Sequence, residues 1–563
     1  MKKLTGTFIL SIPLFFSANA LALTEADWSR NVRIESGENR ENILQLNAEE
    51  MAHYKSLGIK HALQYPVTVT GLLIPYQPLL NFFKADTKNP LKKLAQDITK
   101  SRVGFKNEEE LYQWLGLNKF NPPTATGIYQ IPFPNGKKDQ FYVGAGLVKT
   151  SHGEGLTFSC FTCHSGNLFG TTVMGLTNKR VKANKFFHMA KKTVPYIPSQ
   201  IFKAGSGATV GETEMFKRTK NNLWSVGAVE PQVLGLDTSL PQVALSLTRR
   251  NSDAYATKNE ILEKFPKSHE LDTYVADSKP MVWWTLKYKT RWLADGSIVS
   301  GNPIFTNILW NELGRGADLK ELENWMKNNK EAIDALTVAA FATKPPRWTD
   351  FYPANSINLE KAIRGQNHFR DSCMKCHGDY VKGWEMGDET QPIEKQLETV
   401  KVDYFETTPV KDVGTDPQRR LGIETFATEL NNLQISKWMK TVLEPQPGYV
   451  PPPLDGIWSR YPYLHNNSIP NLCALMTPPA KRPVTFVQGP ADDRHRDYDT
   501  DCVGYPVGNK MPKSWNEDKE AFFDTRKPGL KNIGHYQMFL KDDGSEKYTE
   551  VEKSELREFL KTL

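Results

Sequence analysis

The stretch "EVEKSELREFLKTL" places Leu556, Phe559, Leu560 and Leu563 at i, i+3, i+4 and i+7. That period predicts an amphipathic terminal helix with a single apolar stripe. "NLEKAIRGQNHFRDSCMKCHG" (Asn358 to Gly378) predicts a second helix, in which Gly365 and Phe369 lie one turn apart. A glycine there permits close helix contact, and the phenylalanine supplies a packing surface, so the terminal helix is expected to cross this one. Upstream, "DLKELENWMKNNKEAIDALTVAAFATKPP" predicts two helices before Pro345, Pro346 and Pro353 break the pattern. "AEEMAHYKSLGIKHALQYP" and "NEEELYQWLGL" predict helices nearer the N-terminus, and "GLTNKRVKANKFFHMAKK" a partly helical segment.

The opening "MKKLTGTFILSIPLFFSANALALTEADW" follows a different logic. Lys2 and Lys3 precede an apolar run from Leu4 to Phe16 that is short for a bilayer span, and the small residues of "ANALA" follow. This reads as a secretory signal peptide over residues 1–22, which implies a periplasmic or secreted protein with no stable membrane anchor. Of 563 residues, 541 would remain, enough for two to four domains. The net charge of +7 falls to +5 without the two lysines. The excess is small and spread along the chain, so it gives no reason to expect a nucleic-acid partner. Thirteen Trp, 28 Phe and 36 Pro point to a loop-rich protein with aromatic-lined interiors.

Six cysteines carry the strongest chemical signal. Cys160, Cys163 and His164 form one Cys-x-x-Cys-His motif, and Cys373, Cys376 and His377 form another. That spacing suits two covalently bound haem c groups: each thiol pair forms thioethers to one porphyrin, and the next histidine reaches the iron. A four-cysteine zinc site would have to join pairs 213 residues apart and would leave both histidines unexplained. A redox dithiol would not need the histidine either. Cys473 and Cys502, 29 residues apart in an exported chain, are expected to form a disulfide.

The expected fold class is therefore mainly α: two cytochrome c-like haem domains with long loops and an N-terminal cap. The boundaries expected are 23–120 for the cap, 121–345 for the first haem domain and 346–563 for the second. Two haems need far less chain than this. The surplus favours an enzyme with a walled pocket over a simple carrier.

The two motifs together with "GIWSRYPYLHNNSIPNLCALMTPPAKRP" (Gly456 to Pro483) resemble the bacterial dihaem cytochrome c peroxidase superfamily. "PYLHN", "TPPAKRP" and "NIGHYQ" are most similar to its rubber-oxygenase-like branch, which includes dihaem fatty-acid dioxygenases. "KPMVWWTLKYKTRWLADGS" (Lys279 to Ser297) resembles the segment that this branch places between its haems. The likeness spans roughly residues 120–563. It implies an oxidoreductase that uses dioxygen or peroxide at an open first haem, with a six-coordinate second haem relaying electrons. An apolar unsaturated substrate and a redox partner protein are implied partners. Peroxide reduction and plain electron transfer are the alternative functions.

The resemblance also implies residue roles. His535 is the expected sixth ligand of the second haem, with Met476 as the alternative, and His465 is expected in the second haem pocket. Trp283 and Trp284 are the aromatics expected between the haems, with Trp284 preferred, and Trp292 and Phe305 are candidates to line the first pocket. Lys287, Lys289 and Arg291 are candidates to pair with haem propionates. His152, His188, Met174 and Met189 lie near the first motif, and none of them is an evident sixth ligand.

Overall fold

The computed structural model describes residues 23–37, 39–84, 93, 105–133, 142–388 and 390–563. The expected signal segment, residues 1–22, lies outside them. Helix α1 (Ala48–Gln64) is followed by strand β1 (Ile74–Pro75), the hairpin β2 (Ala145–Thr150) and β3 (Gly153–Phe158), and the hairpin β4 (Ser165–Leu168) and β5 (Thr171–Met174). Helices α2 (Ala183–Thr193), α3 (Pro303–Gly314), α4 (Lys330–Phe341), α5 (Leu359–Ser372) and α6 (Glu550–Lys561) follow; Val210–Trp224, Leu240–Leu247 and Leu319–Asn328 are helical as well, and shorter turns and loops join them. Helix outweighs strand. Among the described residues no helix is long and apolar enough to cross a membrane.

Local sequence explains the helix ends. Asn47 accepts from the amides of Glu49 and Glu50, while the Glu50 carboxylate accepts the Asn47 N–H, so α1 starts in a reciprocal cap. Thr549 and Glu552 repeat the arrangement at α6. Each cap contributes about 1 kcal/mol.

Two glycines set the helix crossings. α6 crosses α5 at Gly365, where an added Cβ would lie 2.0 Å from the Glu555 carbonyl oxygen. Beside it the Phe369 and Phe559 rings lie 5.2 Å apart. α1 meets α4 at Gly58, where a Cβ would lie 1.9 Å from the Ala335 carbonyl oxygen. Alanine at either position forces the helices apart, at a cost of about 1–3 kcal/mol.

The two cysteine motifs stand in different frames. The second closes α5 and continues as the short helix Met374–His377. The first lies between two antiparallel hairpins, on the 3-10 turn Cys160–Thr162, and the Ser159 amide donates to the Gly144 carbonyl across its base. Strands thus hold a site that an all-helical reading would mount on a helix.

Two apolar cores lie beneath these frames. One gathers Phe161, Trp283, Trp310, Leu336 and Phe341 under the first motif. The other gathers Trp284, Trp348, Phe369, Trp458 and Phe559 under the second. Packing and strand pairing cross the expected division at 345/346. Ile423, Phe426, Leu430 and Leu443 join the first core, and Val442–Leu443 pairs with strand Ile298–Ser300. Residues Leu168 to Leu236 in turn supply side chains to the second core. The Cys473–Cys502 disulfide is present and ties Leu472–Leu475 to the segment approaching residue 503.

Candidate functional site

Two cavities of about 210 and 240 Å³ lie side by side. Cys160, Cys163 and His164 line the first, and Cys373, Cys376 and His377 line the second. The four motif cysteines therefore point into separate spaces and carry no disulfide. Among the described residues no three His, Cys, Asp or Glu side chains gather as a metal-binding cluster. This arrangement excludes a single zinc site built from both pairs.

The histidines are prepared as ligands. His164 Nδ1 lies 2.9 Å from the Met281 carbonyl oxygen, and His377 Nδ1 lies 2.8 Å from that of Pro452. A carbonyl can only accept, so Nδ1 carries the proton in each ring and Nε2 keeps its lone pair for a metal. Burial pushes both imidazoles down to about 4, leaving them neutral at ordinary pH. His535 faces the second cavity from the opposite side, its ring centroid 6.1 Å from that of His377. Burial, with His377 nearby, pushes it down to about 3.

His465 also lines the second cavity, where its ring stacks on Tyr449 at 4.0 Å and 16°. Met476, the alternative ligand, lines the same cavity and is 2% exposed. The first cavity differs. His164 is the only histidine among the described residues that line it. His152, His188, Met174 and Met189 stand elsewhere: His152 is exposed, and His188 Nδ1 turns to the Ala228 carbonyl oxygen.

The segment Lys279 to Met281, with Leu293 and Ala294, lines both cavities and forms their common wall. Trp283 and Trp284 follow it on a 3-10 turn, Trp283–Tyr288, where neighbouring side chains diverge by roughly a third of a turn. Trp283 faces the first cavity, with its ring 5.3 Å from that of His164 and 5.1 Å from that of Phe161. Trp284, the preferred residue, lines neither cavity. It is fully buried in the second core and donates Nε1–H to the Asp455 carbonyl oxygen at 2.9 Å. Of the two indoles expected between the haems, Trp283 thus joins the first core and Trp284 the second.

Trp292 lines the first cavity, whereas Phe305 packs edge-on against Trp438 outside it. Of the three basic candidates, only Lys289 reaches a cavity. Lys287 pairs with Glu41 at 3.1 Å, and Arg291 donates to Gln446 at 2.7 Å. Lys289 is joined in the second cavity by Lys279 and Arg460. Burial, with Arg460 nearby, pushes both lysines down to about 7, and neither has an ion pair among the described residues.

Sequence reasoning missed Lys279, Arg460 and Tyr65. Tyr65 stands at the end of α1, lines the first cavity and donates to Glu312 at 2.6 Å. Its partner is remote in sequence, so no local pattern marks it.

The donor set fits a porphyrin with iron in each cavity. Each has two thiols, a neutral imidazole, a mostly apolar lining and cations able to meet carboxylates: Arg315 and Arg419 in the first, Lys289 and Arg460 in the second. Residues 448–487 match the family model described as RoxA-like, cytochrome c-like. This RoxA-like segment runs from Tyr449 through Arg460, Tyr463, His465 and Met476, all of which line the second cavity. The match supports a RoxA-like cytochrome family, covalently bound haem c and a haem-dependent, oxidoreductase-like function.

Two relatives come from Sinorhizobium fredii (strain NBRC 101917 / NGR234). Uncharacterized protein y4iJ is 31% identical over 236 residues, covering 34% of this chain and 36% of its own length. Uncharacterized protein y4iM is 27% identical over 220 residues, covering 34% of this chain and 44% of its own length. Each match thus spans less than half of the relative.

Proposed function

We propose that this chain is an exported dihaem c-type oxidoreductase of the rubber-oxygenase-like branch. The first cavity handles dioxygen or peroxide and an apolar, unsaturated substrate, while the second relays electrons, drawing on a redox partner protein. The carrying observation is the asymmetry of the histidines: His377 and His535 lie 6.1 Å apart in the second cavity, which His465 also lines, whereas among the described residues His164 alone lines the first. A haem in the first cavity supplies an iron that can bind and activate the oxidant.

The protein's part is positioning. Cys160, Cys163 and His164 would hold the group, and the Met281 carbonyl keeps the His164 ring in its orientation. Trp283 packs beside the ring at a tilt of 39° and limits its movement. Leu240, Leu286, Ile298, Ile308 and Leu336 give the cavity an apolar wall, which favours a hydrocarbon-like substrate and keeps bulk water away. His377 and His535, whose rings lie 6.1 Å apart, would both hold a haem in the second cavity, which would supply electron transfer there.

Visible and EPR spectra of the purified protein, with reduced spectra before and after carbon monoxide, test the reading. One low-spin haem and one that binds carbon monoxide are expected. Two low-spin haems that both refuse it would leave a plain electron-transfer cytochrome.

A further inference from the structure

The first cavity is largely apolar, yet Asp237 opens onto it. Asp237 also lines a smaller polar pocket of about 120 Å³, together with Lys182, Lys185, Glu230 and Glu520. It is the only carboxylic acid among the described residues lining the first cavity, and it is 4% exposed. One carboxyl group thus stands between a charged outer pocket and the space beside Cys163 and His164.

The surrounding charges are distributed unevenly. In the outer pocket Glu520 pairs with Lys182 and Lys185, and Lys185 also pairs with Glu230 at 2.9 Å, so these cations are already matched. The partly buried Asp277, just before the common wall, adds a second carboxyl, and Lys279, at the start of that wall, an amine. Arg315 and Arg419 line the same cavity, Arg315 being paired with Glu312 at 3.2 Å. Asp237 accepts the Asn184 N–H at 3.0 Å, at the start of α2. Burial pushes its carboxyl up to about 8 against that amide, and Asp277 adds to the rise. The group can therefore hold a proton near neutral pH and still release it.

We propose that Asp237 is the proton-exchange group between solvent and the first cavity. The Asp237 O–H bond breaks as its proton passes to a water or ligand oxygen in the cavity. The carboxylate left behind takes a proton from water in the outer pocket, which restores the starting state without any electron transfer. The role rests on the first cavity being the reactive one.

The test uses the full haem-loaded chain and Asp237→Asn, whose amide oxygen still accepts from Asn184. The midpoint potential of each haem is followed by spectroelectrochemistry from roughly pH 6 to 10. Reduction adds negative charge beside Asp237 and strengthens its hold on the proton. The first haem's potential should therefore fall with rising pH in the wild type, fall less steeply in Asp237→Asn and regain the wild-type slope in Asp237→Glu. An unchanged slope in Asp237→Asn overturns the proposal. If that variant fails to mature, the wild-type reduced-minus-oxidised infrared spectrum decides: a shifting protonated-carboxyl band is expected, and its absence overturns the proposal. Carbon monoxide binding is scored on the same samples. Binding with a slope indifferent to Asp237 sinks the proton route alone, whereas no binding sinks the reading beneath it.

Discussion

Replacing His535 with glycine puts the axial pair to its most direct test. The His377 and His535 ring centroids stand 6.1 Å apart at an interplanar angle of 51°. Two imidazoles on opposite sides of one metal, with bonds of about 2 Å and about 1.1 Å from nitrogen to ring centre, would stand about 6.2 Å apart. Rings in direct stacking contact lie closer, as Tyr449 and His465 do at 4.0 Å. The observed spacing therefore fits a metal between the rings.

Glycine is the informative substitution because His535 has a φ of +51°. That conformation costs an L-residue about 1–2 kcal/mol and glycine almost nothing. Loss of the ligand then cannot be blamed on a strained backbone. About half of the total haem should pass from low to high spin, since one of two groups loses a ligand. Added free imidazole should occupy the vacated space and restore the low-spin EPR signal. An unchanged low-spin signal in the purified variant would refute the assignment. Survival there, with loss in Met476→Ala, would move the ligand to Met476.

Four further outcomes follow from the packing and the charges. Trp283→Phe should alter the absorption spectrum and carbon monoxide binding rate of the first haem, because its ring lies 5.3 Å from that of His164. Trp284→Ala should instead cost about 3–5 kcal/mol in denaturant titration while sparing that spectrum, and equal spectral effects would contradict the split orientation. The Cys473→Ser/Cys502→Ser double variant opens a loop with a sequence separation of 29, so denaturant midpoints should report a loss of about 3.6 kcal/mol. Burial opposes ionisation of Glu520, but Lys182 and Lys185 outweigh it and hold the carboxyl down to about 2 from an ordinary 4.5. Its stabilisation is complete above 4.5 and lost as pH falls towards 2, so Glu520→Gln should flatten the acid limb of a fluorescence-monitored stability profile.

How much was legible depended on whether the relevant physics is local. The Cys-x-x-Cys-His motifs are readable because five consecutive residues carry the whole geometry. The α5–α6 crossing is readable because a glycine, a phenylalanine and a period of 3.6 mark it. β2 and β3 are not, because β3 ends in four consecutive buried residues and β2 shows no regular alternation, so the pattern that announces a half-exposed strand is lost. The divergence of Trp283 from Trp284 depends on a 3-10 turn that no periodic stripe encodes. Lys279, Lys289 and Arg460 converge on one cavity only after the common wall has folded against the Pro451 to Tyr463 loop. His535 was named through resemblance, since nothing in "KNIGHYQMF" alone separates a ligand from a loop-bracing side chain.

The common wall also decides how independent the two cavities can be. His164 is held by the Met281 carbonyl, and two residues earlier the Lys279 amide donates to the His465 carbonyl at 2.9 Å. The Trp283 amide then donates to the Gly175 carbonyl at 2.9 Å, while the Gly175 amide donates to that of His164 at 2.8 Å. Gly175 sits at φ +83°, and a side chain there would lie 3.2 Å from Cβ of Trp283. The ring of the first cavity and the loop of the second are thus fixed to the same few peptide units. Substituting Lys279 or Met281 changes what each cavity presents but leaves these main-chain bonds in place. Chemistry in the two cavities can therefore be tuned separately by side chains, while displacement of one histidine frame is transmitted to the other through the backbone.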